Sequence, residues 1–146
     1  MKILILCDVL FPQTTGGAGR VARELAIALK QLGNEVQFLT RCTSNIPLVD
    51  DIKTTYSPSL GRALSGQQKR IFRKIIERFN SDIVHIHQPL PTFLSVPANF
   101  TGSKVYTFHS SWPEELRIKS SPIPRAVREM IAPFLYRIEK QIPIGA

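Results

Sequence analysis

Residues 2–8, KILILCD, form a short and nearly unbroken aliphatic run. Such a run suits a strand buried on both faces of a parallel sheet, where neither side meets water. Helical and extended patterns then alternate along the chain. Val21, Leu25, Ala28, Leu29 and Leu32 recur at spacings of three and four, which predicts a helix from about Gly19 to Leu32, with Gly33 and Asn34 as its stop. EVQFLTR (35–41) reads as a second strand and DIKTTYSP (51–58) as a weaker third, ended by proline. In QQKRIFRKIIERF (67–79), Ile71, Phe72, Ile75, Ile76 and Phe79 share one helical face, with Lys69, Arg70, Arg73, Lys74 and Arg78 around the rest.

SDIVHIHQP (81–89) and SKVYTFHSS (103–111) supply two more strands, and LPTFLSVPANF (90–100) between them leaves room for only a short crossover. From Ile123 the tail carries Val127, Ile131, Phe134, Leu135 and Ile138 at helical spacing, with Pro133 expected to kink or divide it. Strands alternating with helices imply an α/β fold of Rossmann type, a parallel sheet with helices on both faces, because right-handed crossovers place them there. Ligands of such sheets bind beyond the carboxyl ends of the strands. The loops after Asp8, Arg41, His87 and His109 are therefore the candidates.

The 146 residues suit one domain, since a single core commonly needs only about 100–150. With 43% hydrophobic and 21% charged residues, neither disorder nor a fibrous repeat is indicated. A net charge of +8 points to phosphate-bearing partners, whether nucleotide, anionic lipid or nucleic acid, without choosing among them. Cys7 and Cys42 form no disulfide framework and fit a reducing cytosol. KILILC is too short for a signal-peptide core and has no cleavage site behind it, so a cytoplasmic protein is expected. No stretch approaches the roughly 18 apolar residues of a membrane span, and any membrane contact is expected to be peripheral.

In DVLFPQTTGGAGRVAREL (8–25), Gly16, Gly17 and Gly19 leave nothing to obstruct a ligand, and the following helix directs N–H groups and partial positive charge toward them. Such a loop favours an anionic or densely oxygenated ligand; the plainer alternative is a turn onto the helix. Arg20 can reach a phosphate or stay solvated. Gly17, Gly19 and Ala22 formally match the dinucleotide pattern G-x-G-x-x-A. Against that reading, VLFPQTT separates the strand from the glycines, and the second strand ends in Arg41 instead of an acidic ribose ligand. An NADP-binding oxidoreductase fragment, using Arg41, stays open as an alternative.

His85 and His87 alternate on one face of a strand and His109 ends the strand expected beside it, so three imidazoles could converge on a metal. No acidic residue is placed to complete that set, and no metal is assigned. His109 stands where a strand opens into SSWPEEL, the place where such sheets display functional side chains, and is the first choice for a catalytic residue. Capping of the strand end is its structural alternative. His87 precedes another of the candidate loops, and Trp112 can stack on a sugar ring or an apolar acceptor or be a partly buried loop residue.

Together, GGAGRVARELAIALKQLGNEVQFLT, DIVHIHQP and VYTFHSS resemble the N-terminal half of glycosyltransferase family 4, retaining enzymes with two Rossmann-like domains in the GT-B arrangement. The order and spacing agree across nearly the whole chain. The resemblance implies that residues 1–146 form an acceptor-side domain, and that the reaction moves a hexose from a nucleoside-diphosphate sugar to a hydroxyl acceptor with retention. By that resemblance Gly16 and Gly17 match the paired glycines whose backbone approaches donor phosphates and acceptor, and His109 matches the histidine near the transferred sugar. Gly19, Arg20, His87, Ser110 and Trp112 complete the expected donor- and acceptor-binding set. The donor is a substrate; no cofactor and no nucleic acid partner are implied.

Helix 67–79 lies where membrane-associated members carry a cationic interfacial helix. Lys69, Arg70, Arg73 and Lys74 are thus candidate contacts for an anionic membrane surface and a lipid acceptor. Its apolar face can instead pack on the sheet, which crossover helices must cover. The family continues into a nucleotide-sugar domain with two spaced glutamates, not found before the chain ends at YRIEKQIPIGA. Inactivity without a separate C-terminal half is therefore expected. A non-catalytic membrane- or partner-binding module is the remaining alternative.

Overall fold

The computed structural model describes residues 1–7, 9–12, 16–40, 51–56, 66–87, 96–111, 113–114, 117 and 124–140, the side chains of 66–69 and 138 excepted. Arg41, Cys42 and Trp112, and the side chain of Lys69, lie outside what is described. The chain divides into two compact units, Met1–Thr107 and Phe108–Ala146.

In the first unit, β1 (Lys2–Leu6), β2 (Glu35–Thr40), β3 (Lys53–Tyr56), β4 (Ile83–Ile86) and β5 (Ser103–Tyr106) make one sheet in the order β3-β2-β1-β4-β5. Every pairing is parallel. The aliphatic run KILIL is the central strand, flanked by β2 and β4, and Leu4, Ile5 and Leu6 are wholly buried. Its alternation divides the core. Ile3, Ile5 and Cys7 join Val36, Phe38, Ile52, Ala22 and Ala26 on one face, beneath α1 (Gly17–Gln31). Leu4 and Leu6 join Leu39, Val84, Ile86, Val96, Phe72 and Ile76 on the other, beneath α2 (Gly66–Phe79). Helices therefore cover both faces, and the fold is the expected Rossmann-like α/β arrangement.

Helix α1 packs through a stripe that shares Leu29 with the one its apolar spacing suggests but is otherwise made of smaller residues. Gly19, Ala22 and Ala26 are buried, whereas Val21 is 47% and Leu32 78% exposed. Small side chains let the helix backbone lie close on a sheet already filled by Ile, Val and Phe, and close packing favours that fit over hydrophobicity alone. The helix ends as expected. Gly33, at φ 83°, donates to the Lys30 carbonyl at 2.9 Å and Asn34 to that of Leu29 at 3.2 Å, the two bonds of a Schellman cap.

In α2 the buried residues are Phe72 and Ile76, with Ile75 and Phe79 packed at their margin and Ile71 40% exposed. Full burial of each large apolar side chain contributes about 1.5–3 kcal/mol. Arg70, Arg73, Lys74 and Arg78 point outward, and Arg73 pairs with Glu77 at 2.6 Å one turn on. The helix stops at Asn80, whose positive φ of 54° and bond to the Ile76 carbonyl at 2.9 Å close its last turn.

In the second unit, α3 (Arg125–Glu139) runs through Pro133 as one helix, not divided by it. Pro133 is exposed, so its missing N–H leaves the carbonyl four residues back facing solvent. The buried residues of α3 are Ala132 and Leu135, while Val127, Met130 and Phe134 are 40%, 74% and 64% exposed. Arg117 ties the preceding segment to this helix, bonding Glu129 at 2.9 Å and accepting at its carbonyl from Arg128 at 3.2 Å. Ser111 donates to Glu139 at 2.9 Å.

Candidate functional site

The strand order reverses between β1 and β4, and the crevice at the carboxyl ends of those two strands is where a doubly wound sheet takes its ligand. Here the edge is built from Cys7, immediately after β1, and His87, immediately after β4. The two strand ends are locked in register: Cys7 N–H donates to Leu39 O at 3.1 Å and His87 N–H to Leu6 O at 2.9 Å. The glycine-rich segment leaves from this edge.

Gly16 is the N-cap of α1, with φ −67° and ψ 142° and no side-chain cap bond. Gly17, expected in the loop, and Gly19, at the expected helix start, both belong to the first helical turn, since α1 begins two residues earlier than the hydrophobic spacing alone indicates. The first turn carries no acidic side chain, so nothing in it opposes an incoming anion, and the helix dipole adds to the attraction. The two glycines differ. Gly19 is buried, which suits close packing of the turn on the sheet. Gly17 is exposed, has no positive φ, and a Cβ built there meets nothing within 4 Å. Glycine in a helix costs about 0.5–1 kcal/mol relative to alanine, and at Gly17 neither backbone nor packing calls for it. Arg20 is exposed on the same turn, its guanidinium carbon 5.0 Å from the centre of the Phe11 ring in the segment that follows β1.

His85 and His87 share the α1 face of β4, as alternation requires, but their rings stack with centroids 4.4 Å apart and planes tilted by 32°. The Nε2 of His85 lies 2.7 Å from the hydroxyl of Thr107. Among the described residues no group of three His, Cys, Asp or Glu side chains is arranged to hold a metal ion. His87 is only 2% exposed, so its ring supports the edge from beneath. The structure thus adds Thr107 to the residues that shape this edge. A single threonine just past β5 gave no chemical signal of its own; only the pairing register, with His85 opposite Val105, reveals it as a diagonal neighbour.

β5 ends at Tyr106, three residues before His109, because the last ladder bond at this end runs from Thr107 N–H to Ile86 O, at 2.9 Å. His109 is therefore beyond the strand, not its final residue. Both His109 and Ser110 are exposed and belong to the second unit. Arg70, Arg73, Lys74 and Arg78 of α2 stand away from the sheet, with Phe72 and Ile76 committed to the core. No helix among the described residues is long and apolar enough to cross a membrane.

The chain is similar in structure to a glycosyltransferase from Rickettsia africae ESF-5, with a TM-score of 0.59 and 20% identity. The match covers 93% of this chain and 34% of that one, so the chain spans well under half the length of this relative. No curated protein matches its sequence significantly. The family model described as Glycosyltransferase Family 4 matches residues 15–142, from the threonine before Gly16 to beyond α3. The chain belongs to glycosyltransferase family 4.

Proposed function

We propose that this chain is the acceptor-side domain of a retaining glycosyltransferase acting in the cytoplasm, which moves a hexose from a nucleoside-diphosphate sugar to a hydroxyl acceptor. The observation that carries the reading is Gly17: a glycine at the start of α1, beside the switch point, that the fold itself does not need. A bare α-carbon there suits the approach of a bulky oxygen-rich ligand to the main-chain N–H groups of the first turn. In this reading Gly16 and Gly17 approach the donor phosphates, and Arg20 adds positive charge. The exposed His109, with Ser110 and Trp112 beside it in sequence, hydrogen-bonds the transferred sugar and stabilises positive charge developing at its anomeric carbon. Family membership supports these assignments.

The reading includes a partner. The donor is held chiefly by a C-terminal nucleotide-sugar domain, and transfer requires that half. Mixing the chain with a C-terminal domain from a family member, and following hexose transfer and anomeric configuration by NMR, tests the proposal. Transfer with retention that needs both halves and is lost in His109→Ala is expected. Undiminished transfer in that variant removes His109 from the mechanism, and an inverted product overturns the reading.

A second reading, peripheral attachment to the inner, anionic face of a membrane, is favoured by the outward Arg70, Lys74 and Arg78 of α2. With the apolar side of the helix buried on the sheet, attachment is electrostatic, at about 1 kcal/mol per cation near the surface. Sedimentation with phosphatidylserine vesicles is expected to show binding at low salt that fades as salt rises; absence of binding at low salt eliminates it. The nicotinamide reading has no observation of its own, since Arg41, on which it turned, lies outside the described residues.

A further inference from the structure

We propose that His85 is a positioning residue, whose imidazole ties the end of β5 to the buried ring of His87 so that the chain leaves β4 and β5 from one rigid base. His85 pairs in register with Ile5 on one side and Val105 on the other, at the half-buried centre of the α1 face. One side of its ring lies against His87, centroids 4.4 Å apart. Its Nε2 lies 2.7 Å from Oγ1 of Thr107, which is 22 residues away in sequence. Each strand end is already held once by main chain, through His87 N–H to Leu6 O and Thr107 N–H to Ile86 O, both at 2.9 Å. His85 adds a side-chain link between them.

A half-buried imidazole paired between Ile5 and Val105 is unfavourable unless it is hydrogen-bonded. A valine or isoleucine would fill the position for stability alone. What the imidazole supplies instead is direction: one defined ring plane, set by Thr107, against which His87 is packed. The link lies under the edge where the loops after β4 and β5 begin. The inference rests on the reading that those loops carry the substrate site, and it states what fixes their starting geometry.

Ring-nitrogen chemical shifts of the unliganded chain, read by long-range proton–nitrogen correlation, test it. His85 is expected in a single tautomer, and Thr107→Val is expected to move the ring-nitrogen shifts of both His85 and His87, while Thr107→Ser, which keeps a hydroxyl, restores them. His85→Gln places an amide near the position of Nε2 and is expected to keep the Thr107 amide protected from exchange. His85→Leu, of similar burial but without the bond, is expected to lower that protection roughly three- to tenfold at an unchanged melting temperature. Unmoved ring shifts in Thr107→Val, or full Thr107 protection in His85→Leu, would overturn the proposal. None of these readouts involves sugar transfer, so failure of the transfer assay with these results intact counts against the functional reading alone.

Discussion

Replacing Gly102 by alanine places a methyl group against main chain that cannot easily yield. A Cβ at this position falls onto the carbonyl oxygen of Asp82, and Phe100 Cζ and Asp82 C lie only 2.5 and 2.9 Å from it. The carbonyl has no room to retreat. It accepts from Ser103 N–H at 2.9 Å, the bond that starts the β4–β5 pairing, while Asp82 N–H donates to Lys2 O at 2.9 Å and its carboxylate accepts from Lys2 N–H at 2.6 Å. Phe100 is packed against the α2-side core. Relief therefore comes from pushing β5 outward. Overpacking of this kind costs about 1–3 kcal/mol, and a weakened Ser103 bond adds roughly 0.5–1.5 kcal/mol, for a total of about 1.5–4.5 kcal/mol. At roughly 2–4 °C per kcal/mol for a chain of this size, the melting temperature is expected to fall by about 3–18 °C, with an unchanged urea m-value if two-state unfolding is kept. Two other glycines serve as controls. Gly17→Ala meets open space in a helical turn and is expected to be neutral or to stabilise by up to about 1 kcal/mol. Gly33→Ala also meets open space but must hold φ at 83°, and is expected to cost about 1–2 kcal/mol. A Gly102→Ala chain that melts with the wild type would refute the steric reasoning, and equal losses at all three glycines would show that packing is not what distinguishes them.

Phe72→Ala, which empties a wholly buried position between α2 and the sheet, is expected to lower stability by about 3–5 kcal/mol in urea titration; a smaller loss than Ile71→Ala would reverse the assignment of the buried face. On α1, Ala26→Leu is expected to destabilise by about 1–3 kcal/mol through overpacking, whereas Val21→Ala, at 47% exposure, is expected to stay within about 0.5 kcal/mol of wild type. Thermal melts that rank them the other way would restore the more apolar stripe as the packed one. Pro133→Ala is expected to stabilise α3 by about 1–3 kcal/mol, since it supplies the missing N–H at an exposed position, and amide exchange in residues 129–137 is the measurement that checks it.

The sheet was legible in the sequence because parallel strands buried on both faces need long aliphatic runs, and KILIL admits no other comfortable environment. The end of α1 was legible for a local reason, the left-handed conformation that Gly33 adopts freely. The packed face of α1 was legible only in part. Leu29 of the expected stripe packs against the core, but Val21 and Leu32 are exposed while Gly19, Ala22 and Ala26 are buried, because the choice of face is made by closeness of approach to a sheet that the helix sequence does not contain. The same limit applies at the carboxyl edge. That His85 and His87 share a face follows from strand alternation, but the bond to Thr107 and the near-complete burial of His87 depend on register with β5 and on what lies above β4. His109 was expected at a strand end and lies three residues past it, because ladder bonding stops at Thr107. Gly102 carried no signal, since its neighbour Asp82 is 20 residues away in sequence and only the β4–β5 register brings them together.

Whether an anionic sugar donor meets the start of α1 decides the functional reading. A titration of the isotopically labelled chain with nucleoside-diphosphate hexoses, followed by amide proton–nitrogen spectra, tests this most directly, because even weak binding moves resonances. Shifts concentrated at the amides of Gly16, Gly17, Ala18 and Gly19, absent with the free hexose and abolished in a Gly17→Val chain that remains folded, are the predicted result. Donor-induced shifts that spare these four amides and gather elsewhere would contradict it.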